Sequence, residues 1–381
     1  MQRFATRLEE RRQAGNLRSL RLPQASVDFF SNDYLGLARS EELSALIART
    51  YQEELQLQKQ ANGSTGSRLL SGNSPFAMQL EQKLATLFRA ESVLLFNSGY
   101  HANAALLSTI TQKGDMIIYD ELIHASLREG YRLSFAQHLA FAHNDLNDLE
   151  KKLRSTQSVQ GEKFVVIESV YSMDGDNSEL EASVKLCNQY GAHVILDEAH
   201  STGIFGTHGN GLACATQIED LILARVYTFG KGMGVHGACV AGSRLLTDYL
   251  VNFARAFIYT TGMPLHGLVS ISCAFDYLAQ HPELQQQLYD RIAHYRREIA
   301  SLNRPGWQVI CNESPIQVIG ISGNQACRAV ADALIANDLE VRAILSPTVK
   351  AGEERLRICL HNFNTAAQIT ALTETLKSIP G

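Results

Sequence analysis

No apolar run in the 381 residues approaches the roughly 18 needed to cross a bilayer as a helix, which argues against a membrane-embedded chain. Proline is scarce, at 8 residues, and none of it gathers into a linker. Low-complexity tracts and internal repeats are missing as well, which excludes disordered and solenoid architectures. The seven cysteines, at positions 187, 214, 239, 273, 311, 327 and 359, are scattered, odd in number and without a Cys-x-x-Cys pair. That excludes a disulfide scaffold and fits reduced thiols used as small core residues. Positive charge is not in excess: 34 Lys and Arg against 39 Asp and Glu leave −5, so no global field draws the chain to nucleic acid or an anionic membrane. The first twelve residues hold no apolar signal core, and Glu9 and Glu10 are wrong for a transit peptide, so a cytoplasmic location is expected.

What is present is an ordinary globular balance, 45% hydrophobic and 19% charged, in a chain long enough for two or three domains. Residues 3–14 read as a short basic helix, followed by an irregular arm to Asp28. Beyond residue 40 short apolar runs alternate with helical segments. The runs Val93–Phe96, Met116–Tyr119, Phe164–Ile167, Val194–Leu196 and Arg225–Phe229 have the length of buried strands. Helical stretches such as Pro75–Phe88 and Leu180–Tyr190 lie between them, a βαβ rhythm that predicts an α/β fold with a mainly parallel sheet. Past residue 265 the character changes. A long polar helix, His281–Leu302, leads to strands at Trp307–Cys311, Gln317–Ile321 and Arg355–Leu360, with helices near 325–337 and 365–377. The expected organisation is therefore an arm (1–39), a large domain (40–265) and a smaller α+β domain (266–381). Ligand sites in open α/β sheets sit at the strand-to-helix turns.

Three motifs fail on context. Gly232-Met-Gly-Val-His-Gly237 matches the dinucleotide fingerprint, but its third glycine opens another apolar run, Ala238–Gly242, and no acidic residue follows between Asp248 and Asp276. Asp197-Glu-Ala-His200 spells a helicase box without any phosphate loop to accompany it. The 12 histidines form no H-E-x-x-H and no cluster of ligand spacing, so no metal is expected.

Other turns converge on one chemistry. Lys231 follows the strand ending Tyr227-Thr-Phe229 and is bracketed by Gly230 and Gly232. A lysine removed from water there has a lowered pKa and an amine able to form a Schiff base. Asp197 closes the strand Val194–Leu196; it reads either as a helix N-cap or as the partner of a protonated pyridine nitrogen. His200, three residues on, is placed to reach that ring's phenolic oxygen. Phe96-Asn-Ser-Gly-Tyr100 joins a strand to the helix His101–Ile110, presenting free amides and a positive dipole end to a phosphate. Ser172 and Thr228 add hydroxyls at two further turns. His124 follows another strand end and suits stacking on a flat ring. Together these pieces resemble fold-type I pyridoxal-phosphate enzymes.

Longer stretches narrow the resemblance. Phe30-Ser-Asn-Asp-Tyr-Leu-Gly-Leu37, Gly63-Ser-Thr-Gly-Ser-Arg-Leu-Leu-Ser-Gly72, Ser172-Met-Asp-Gly-Asp176, Asp197-Glu-Ala-His-Ser-Thr-Gly203, Thr228-Phe-Gly-Lys-Gly232, Pro347-Thr-Val-Lys-Ala-Gly352 and Arg355-Leu-Arg357 follow in this order. Over essentially its whole length the chain resembles the α-oxoamine synthase family, which condenses an amino acid with an acyl thioester and releases carbon dioxide. The resemblance implies a fold-type I, aminotransferase-like architecture with a seven-stranded sheet, and pyridoxal 5'-phosphate as cofactor. It makes Lys231 the Schiff-base lysine, Asp197 the pyridinium partner, His124 the stacking residue, and Gly99 with Tyr100 the phosphate-binding amides. Ser172, His200 and Thr228 complete the cofactor contacts. Asn32 and Arg357 hold the amino acid's carboxylate, and Arg18 (alternatively Arg21) and Thr348 contact substrate. The first two stretches resemble members that join L-alanine to a pimeloyl thioester. Members using glycine or serine, and a catalytically silent regulatory subunit, are the alternatives. The resemblance also implies a homodimer with shared active sites, a hydroxyl of Tyr259-Thr-Thr261 reaching the partner's phosphate. Residues 1–23 carry six Arg against two Glu, a local positive field that suits an anionic acyl carrier or chain.

Overall fold

The computed structural model describes residues 1–20, 22–57 and 61–379. The chain divides into two compact units, Leu35–Ser172 with Asn177–Gln285, and Met1–Tyr34 with Met173–Asp176 and Gln286–Gly381.

The first unit is built on seven strands: β1 (Ser92–Phe96), β2 (Met116–Asp120), β3 (Gln137–Phe141), β4 (Lys163–Glu168), β5 (His193–Asp197), β6 (Ala224–Thr228) and β7 (Ala238–Gly242). Their order is β1-β7-β6-β5-β4-β2-β3, with β7 antiparallel to both neighbours and the remaining pairs parallel. Six of these strands, all but β3, coincide with apolar runs named above. Alternation explains how such runs fill both sides of the sheet. Val166, Ile195 and Val226 pack with Ala102, Leu106, Leu107 and Leu127 on one face. Val165, Ile167, Val194 and Leu196 pack with Leu149, Leu153, Val184 and Cys187 on the other. The carboxyl ends of β2, β4, β5 and β6 carry Asp120, Glu168, Asp197 and Thr228, only 0, 3, 4 and 7% exposed, a buried polar row where a parallel sheet places its ligand.

The Gly63–Gly72 stretch folds back tightly on itself. A Cβ on Gly72 would lie 1.9 Å from the Gly66 carbonyl oxygen, so this approach demands glycine. The stretch is tied to Gly262, whose amide donates to the Gly66 carbonyl at 2.9 Å and whose carbonyl accepts from Ser64 Oγ at 2.5 Å. Arg68 makes a two-pronged pair with both Glu81 oxygens at 2.9 Å. Glu81 Oε1 also accepts the Leu95 amide of edge strand β1 at 3.0 Å. The helix Leu265–Gln280 belongs to this unit, beyond the boundary expected at residue 265, because its apolar side is buried here and Phe275 packs edge-on against Phe88 and Phe229.

The second unit holds an antiparallel sheet of β8 (Trp307–Ile310), β9 (Ile316–Ile321), β10 (Arg342–Ile344) and β11 (Arg355–Cys359), ordered β10-β11-β9-β8. Helices Asn324–Ala336 and Ala366–Ser378 accompany it, the latter opened by a Thr365–Gln368 capping box. The polar helix expected at 281–302 spans Glu283–Ile299. The arm is part of this unit: Val27–Asp28 pairs with Leu339–Glu340, and Glu340 Oε2 accepts the Gln24 and Ala25 amides, both at 2.8 Å. The basic helix forms as Gln2–Gln13 and buries none of its residues. Among the described residues no helix is long and apolar enough to cross a membrane.

Candidate active site

Strand β1 passes through Asn97 and Ser98 into the helix Gly99–Ile110. Ser98 Oγ caps the helix by accepting the His101 amide at 3.3 Å, which leaves the amides of Gly99 and Tyr100 without a partner among the described residues. Two orphan donors at the positive end of a helix form an anion cradle. Gly99 is sterically required: a Cβ there would meet Thr228 Cγ2 at 2.4 Å, so the turn is packed against the end of β6. Tyr100 is half exposed.

Asp197 lies at the centre of a relay. Its Oδ1 accepts the Ala199 amide at 2.8 Å, and its Oδ2 accepts from Asn103 Nδ2 at 2.7 Å. The same Asn103 nitrogen donates to Ser126 Oγ at 2.9 Å, and that hydroxyl meets His124 Nδ1 at 2.7 Å. The capping reading of Asp197 is met in part, since one oxygen closes a local turn, but a run of turns rather than a helix follows it. Among the described residues its carboxylate receives only neutral donors, so its charge remains available to a cation.

Glu168 sits opposite Asp197 in the β4–β5 register and accepts the His124 amide. Burial, reinforced by the neighbouring Asp197 charge, pushes its carboxyl well above the usual range. Asp120, next along, is bonded to His143 Nδ1 at 3.0 Å and to the Asn144 amide at 2.9 Å. His124 is exposed, but its inward side has lost water, which with the Lys231 charge holds its imidazole below the ordinary pKa against Asp197. A neutral ring results, suited to stacking.

Lys231 is half-buried in a turn closed by the Gly234 amide on its carbonyl at 2.9 Å, and its charge acts on both His124 and Glu168. Gly232–Gly237 leads from that turn directly into β7, which explains why the dinucleotide fingerprint fails. His200 is buried, Ser172 half-buried, and Thr228 Oγ1 approaches the Ala199 carbonyl at 3.5 Å. Gly99, His124, Asp197, Thr228 and Lys231, spread over 133 residues of sequence, thus meet around the ends of β4, β5 and β6.

In the second unit Arg357, on β11, reaches Asn32 Oδ1 through Nη2 at 3.1 Å. Tyr34 Oη donates to the same Oδ1 at 3.0 Å, and Arg357 Nη1 donates to Cys359 Sγ at 2.8 Å. With its oxygen facing two donors, the Asn32 amide keeps its NH2 as a donor near the guanidinium. Thr348 is exposed in the turn before β11, and Arg18 is exposed on the arm. Arg21 lies outside the described residues.

Sequence reasoning passed over Asn103, Ser126, Glu168, Tyr34 and Cys359. Glu168 had a signal, a carboxylate directly after the apolar run ending at Ile167, as did Tyr34 inside a quoted stretch. Asn103 had only its polarity within an apolar helix.

The geometry agrees with similarities to known proteins. The model of the family "Aminotransferase class I and II" matches residues 25–376. An 8-amino-7-oxononanoate synthase of Emericella nidulans is 41% identical, over 93% of this chain and 89% of its own length. A solved 8-amino-7-oxononanoate synthase of Francisella tularensis superposes with a TM-score of 0.77 at 27% identity, over 92% of this chain and 96% of its own. A structure of SPT (serine palmitoyltransferase) with pyridoxal phosphate superposes with a TM-score of 0.86 at 26% identity, over 98% and 96% respectively. The residues fit this cofactor: orphan amides for its phosphate, an unneutralised buried carboxylate for its ring nitrogen, and a lysine for its aldehyde.

Proposed function

The chain belongs to the aminotransferase class I and II family and is a pyridoxal-phosphate enzyme of fold type I, and from that premise we propose that it is an 8-amino-7-oxononanoate synthase of biotin biosynthesis. It condenses L-alanine with a pimeloyl thioester of coenzyme A or an acyl carrier protein, releasing carbon dioxide and the free thiol. The observation that carries the cofactor chemistry is Asp197, buried at the end of β5 with only neutral donors and linked through Asn103 and Ser126 to His124.

When bound, the cofactor supplies an electron sink for negative charge developing at the amino acid's Cα. Asp197 would hold a proton on the ring nitrogen, and His124 would pack against the ring face. The Gly99 and Tyr100 amides would bind the phosphate, with Ser172, His200 and Thr228 at the remaining polar edges. Lys231 would hold the cofactor through Nζ, and its amine, when free, would take the Cα proton and later return one. Asn32 Nδ2 and Arg357 bind the carboxylate, orienting Cα–H for removal, while Arg18 and Thr348 contact substrate. Relatives named for this activity support the substrate choice. The reading extends to a homodimer in the cytoplasm.

The test is titration of the cofactor absorbance with L-alanine, glycine and L-serine, paired with thiol release from pimeloyl, short-chain and long-chain acyl thioesters. Selective response to alanine and pimeloyl thioester is expected. The superposition on SPT favours a serine-using synthase as the second reading, and a preference for serine with a long acyl chain would establish it instead.

A further inference from the structure

Asn32 and Arg357 stand 325 residues apart, and what holds their two stretches together is a buried cluster to which the chemistry above assigns no role. Past β11 the chain runs beside residues 29–34, with the Cys359 amide on the Phe29 carbonyl at 2.8 Å and the Asn362 amide on the Tyr34 carbonyl at 3.0 Å. Between these bonds sits His361, 0% exposed, with Phe363 stacked on it at 4.6 Å and 12°. Its Nδ1 lies 3.0 Å from Asn364 Oδ1, and its Nε2 lies 3.1 Å from Ser31 Oγ and 3.0 Å from the Ser31 carbonyl oxygen.

The hydrogen positions follow from the partners. Asn364 Nδ2 donates to the Asp28 carbonyl at 3.0 Å, so its oxygen is the atom facing the ring and Nδ1 carries the hydrogen. Nε2 faces the Ser31 hydroxyl and the Ser31 carbonyl oxygen together, and that hydroxyl also reaches the Asp28 carboxylate. Asp28 Oδ1 closes the other side of the turn by accepting the Phe30 and Ser31 amides at 3.0 and 2.9 Å. Ser31 is thus gripped at its amide and its hydroxyl, one residue before Asn32.

We propose that His361 is a positioning residue, fixing the Ser31–Asn32 turn so that the Asn32 amide nitrogen stays aimed beside Arg357. This rests on the reading that Asn32 and Arg357 bind the amino acid's carboxylate. It also makes the clamp sensitive to acid. A second proton on the ring makes Nε2 a donor to the Ser31 carbonyl oxygen already 3.0 Å away and ends any acceptance from the Ser31 hydroxyl, so the grip on the turn changes with pH. The ionisable groups acting on the ring are Asp28, with Oδ1 at 4.0 Å, and Asp33, while Tyr34 stacks at 6.5 Å. Burial holds the imidazole below its ordinary pKa against both carboxylates, so the neutral ring is the working form near pH 7.

The experiment uses the holoenzyme and follows cofactor absorbance during amino-acid titration from pH 5 to 8. His361→Phe keeps the stack and loses both bonds. It is expected to weaken binding of whichever amino acid the wild type binds by about tenfold or more, leave the thioester KM unchanged, and abolish the acid-side fall in amino-acid affinity. His361→Gln, whose side-chain oxygen can accept from Ser31, is expected to recover part of the affinity. If His361→Phe does not fold, Ser31→Ala removes the same bond and should flatten the same pH profile. Unchanged amino-acid affinity and an unchanged pH profile in a folded variant overturn the proposal. If no amino acid shifts the wild-type absorbance, the carboxylate reading fails, and the proposal falls with it.

Discussion

At the ends of β2, β4 and β5 the first unit buries three carboxylates side by side, whereas beside Asn32 the second unit buries the guanidinium of Arg357. The carboxylates are kept apart in role by their partners. Asp120 is bonded to His143, Glu168 is pushed upward by burial beside Asp197, and among the described residues Asp197 is met by neutral donors. Arg357 instead meets the Asn32 oxygen, the Tyr34 hydroxyl and the Cys359 sulfur. The first region leaves a buried carboxylate among neutral donors, suited to a cation, and the second presents a buried guanidinium braced by polar side chains.

If the strand-end region supplies chemistry and the clamp supplies binding, variants should separate in their kinetics. Lys231→Ala should lose at least about 10³-fold in kcat, and near-normal turnover would break the division outright. Asp197→Asn should lower kcat about 10²-fold and loosen cofactor retention, read from the absorbance remaining after dialysis. Arg357→Lys should instead raise the amino-acid KM about 10- to 100-fold with a smaller change in kcat, because a point charge cannot replace a planar fork. Asn103→Ala sharpens the comparison, since it removes the relay and leaves Asp197 in place. About tenfold in kcat and roughly 1–3 kcal/mol of stability from the orphaned buried partners are expected, checked by urea denaturation of the apoprotein.

The smallest effect belongs to acid stability. Asp28 is lowered from 3.8 to about 2 by His361 and the Ser31 and Phe30 amides, against burial, which alone would raise it. A depressed carboxylate stabilises the fold above its unfolded value, and that contribution disappears as pH falls from about 3.8 towards 2. Asp28→Asn should flatten urea midpoints across that window, and a slope equal to wild type would show that the cluster holds no ionic share.

The central strands were legible because parallel strands buried on both faces read as unbroken apolar runs, as Phe164–Ile167 and Val194–Leu196 do. Strand β3 was not, because Gln137 and His138 on this sheet edge are exposed and its composition is mixed. Lys231, Asp197 and Gly99 were found because each sits at a strand-end turn with a local pattern. Asn103 and Ser126 act by meeting across helices, and nothing near them in sequence encodes that meeting. The arm's union with residues 286–381 was hidden for the same reason, since Val27–Asp28 finds its partner strand at Leu339–Glu340.

Glu81 links two matters that are usually considered apart. By accepting the Leu95 amide it covers a donor that an open sheet edge would offer to a strand of another molecule, and Arg68 holds it there. Arg68 lies in the Gly63–Gly72 stretch, one of the two whose resemblance points to alanine as substrate. Exchange of Arg68 in a specificity redesign therefore frees Glu81 to swing away and exposes the edge, so such libraries should lose members to aggregation before they lose them to inactivity. Light scattering at modest protein concentration would detect it, and restoring a cation near Glu81 would be the remedy.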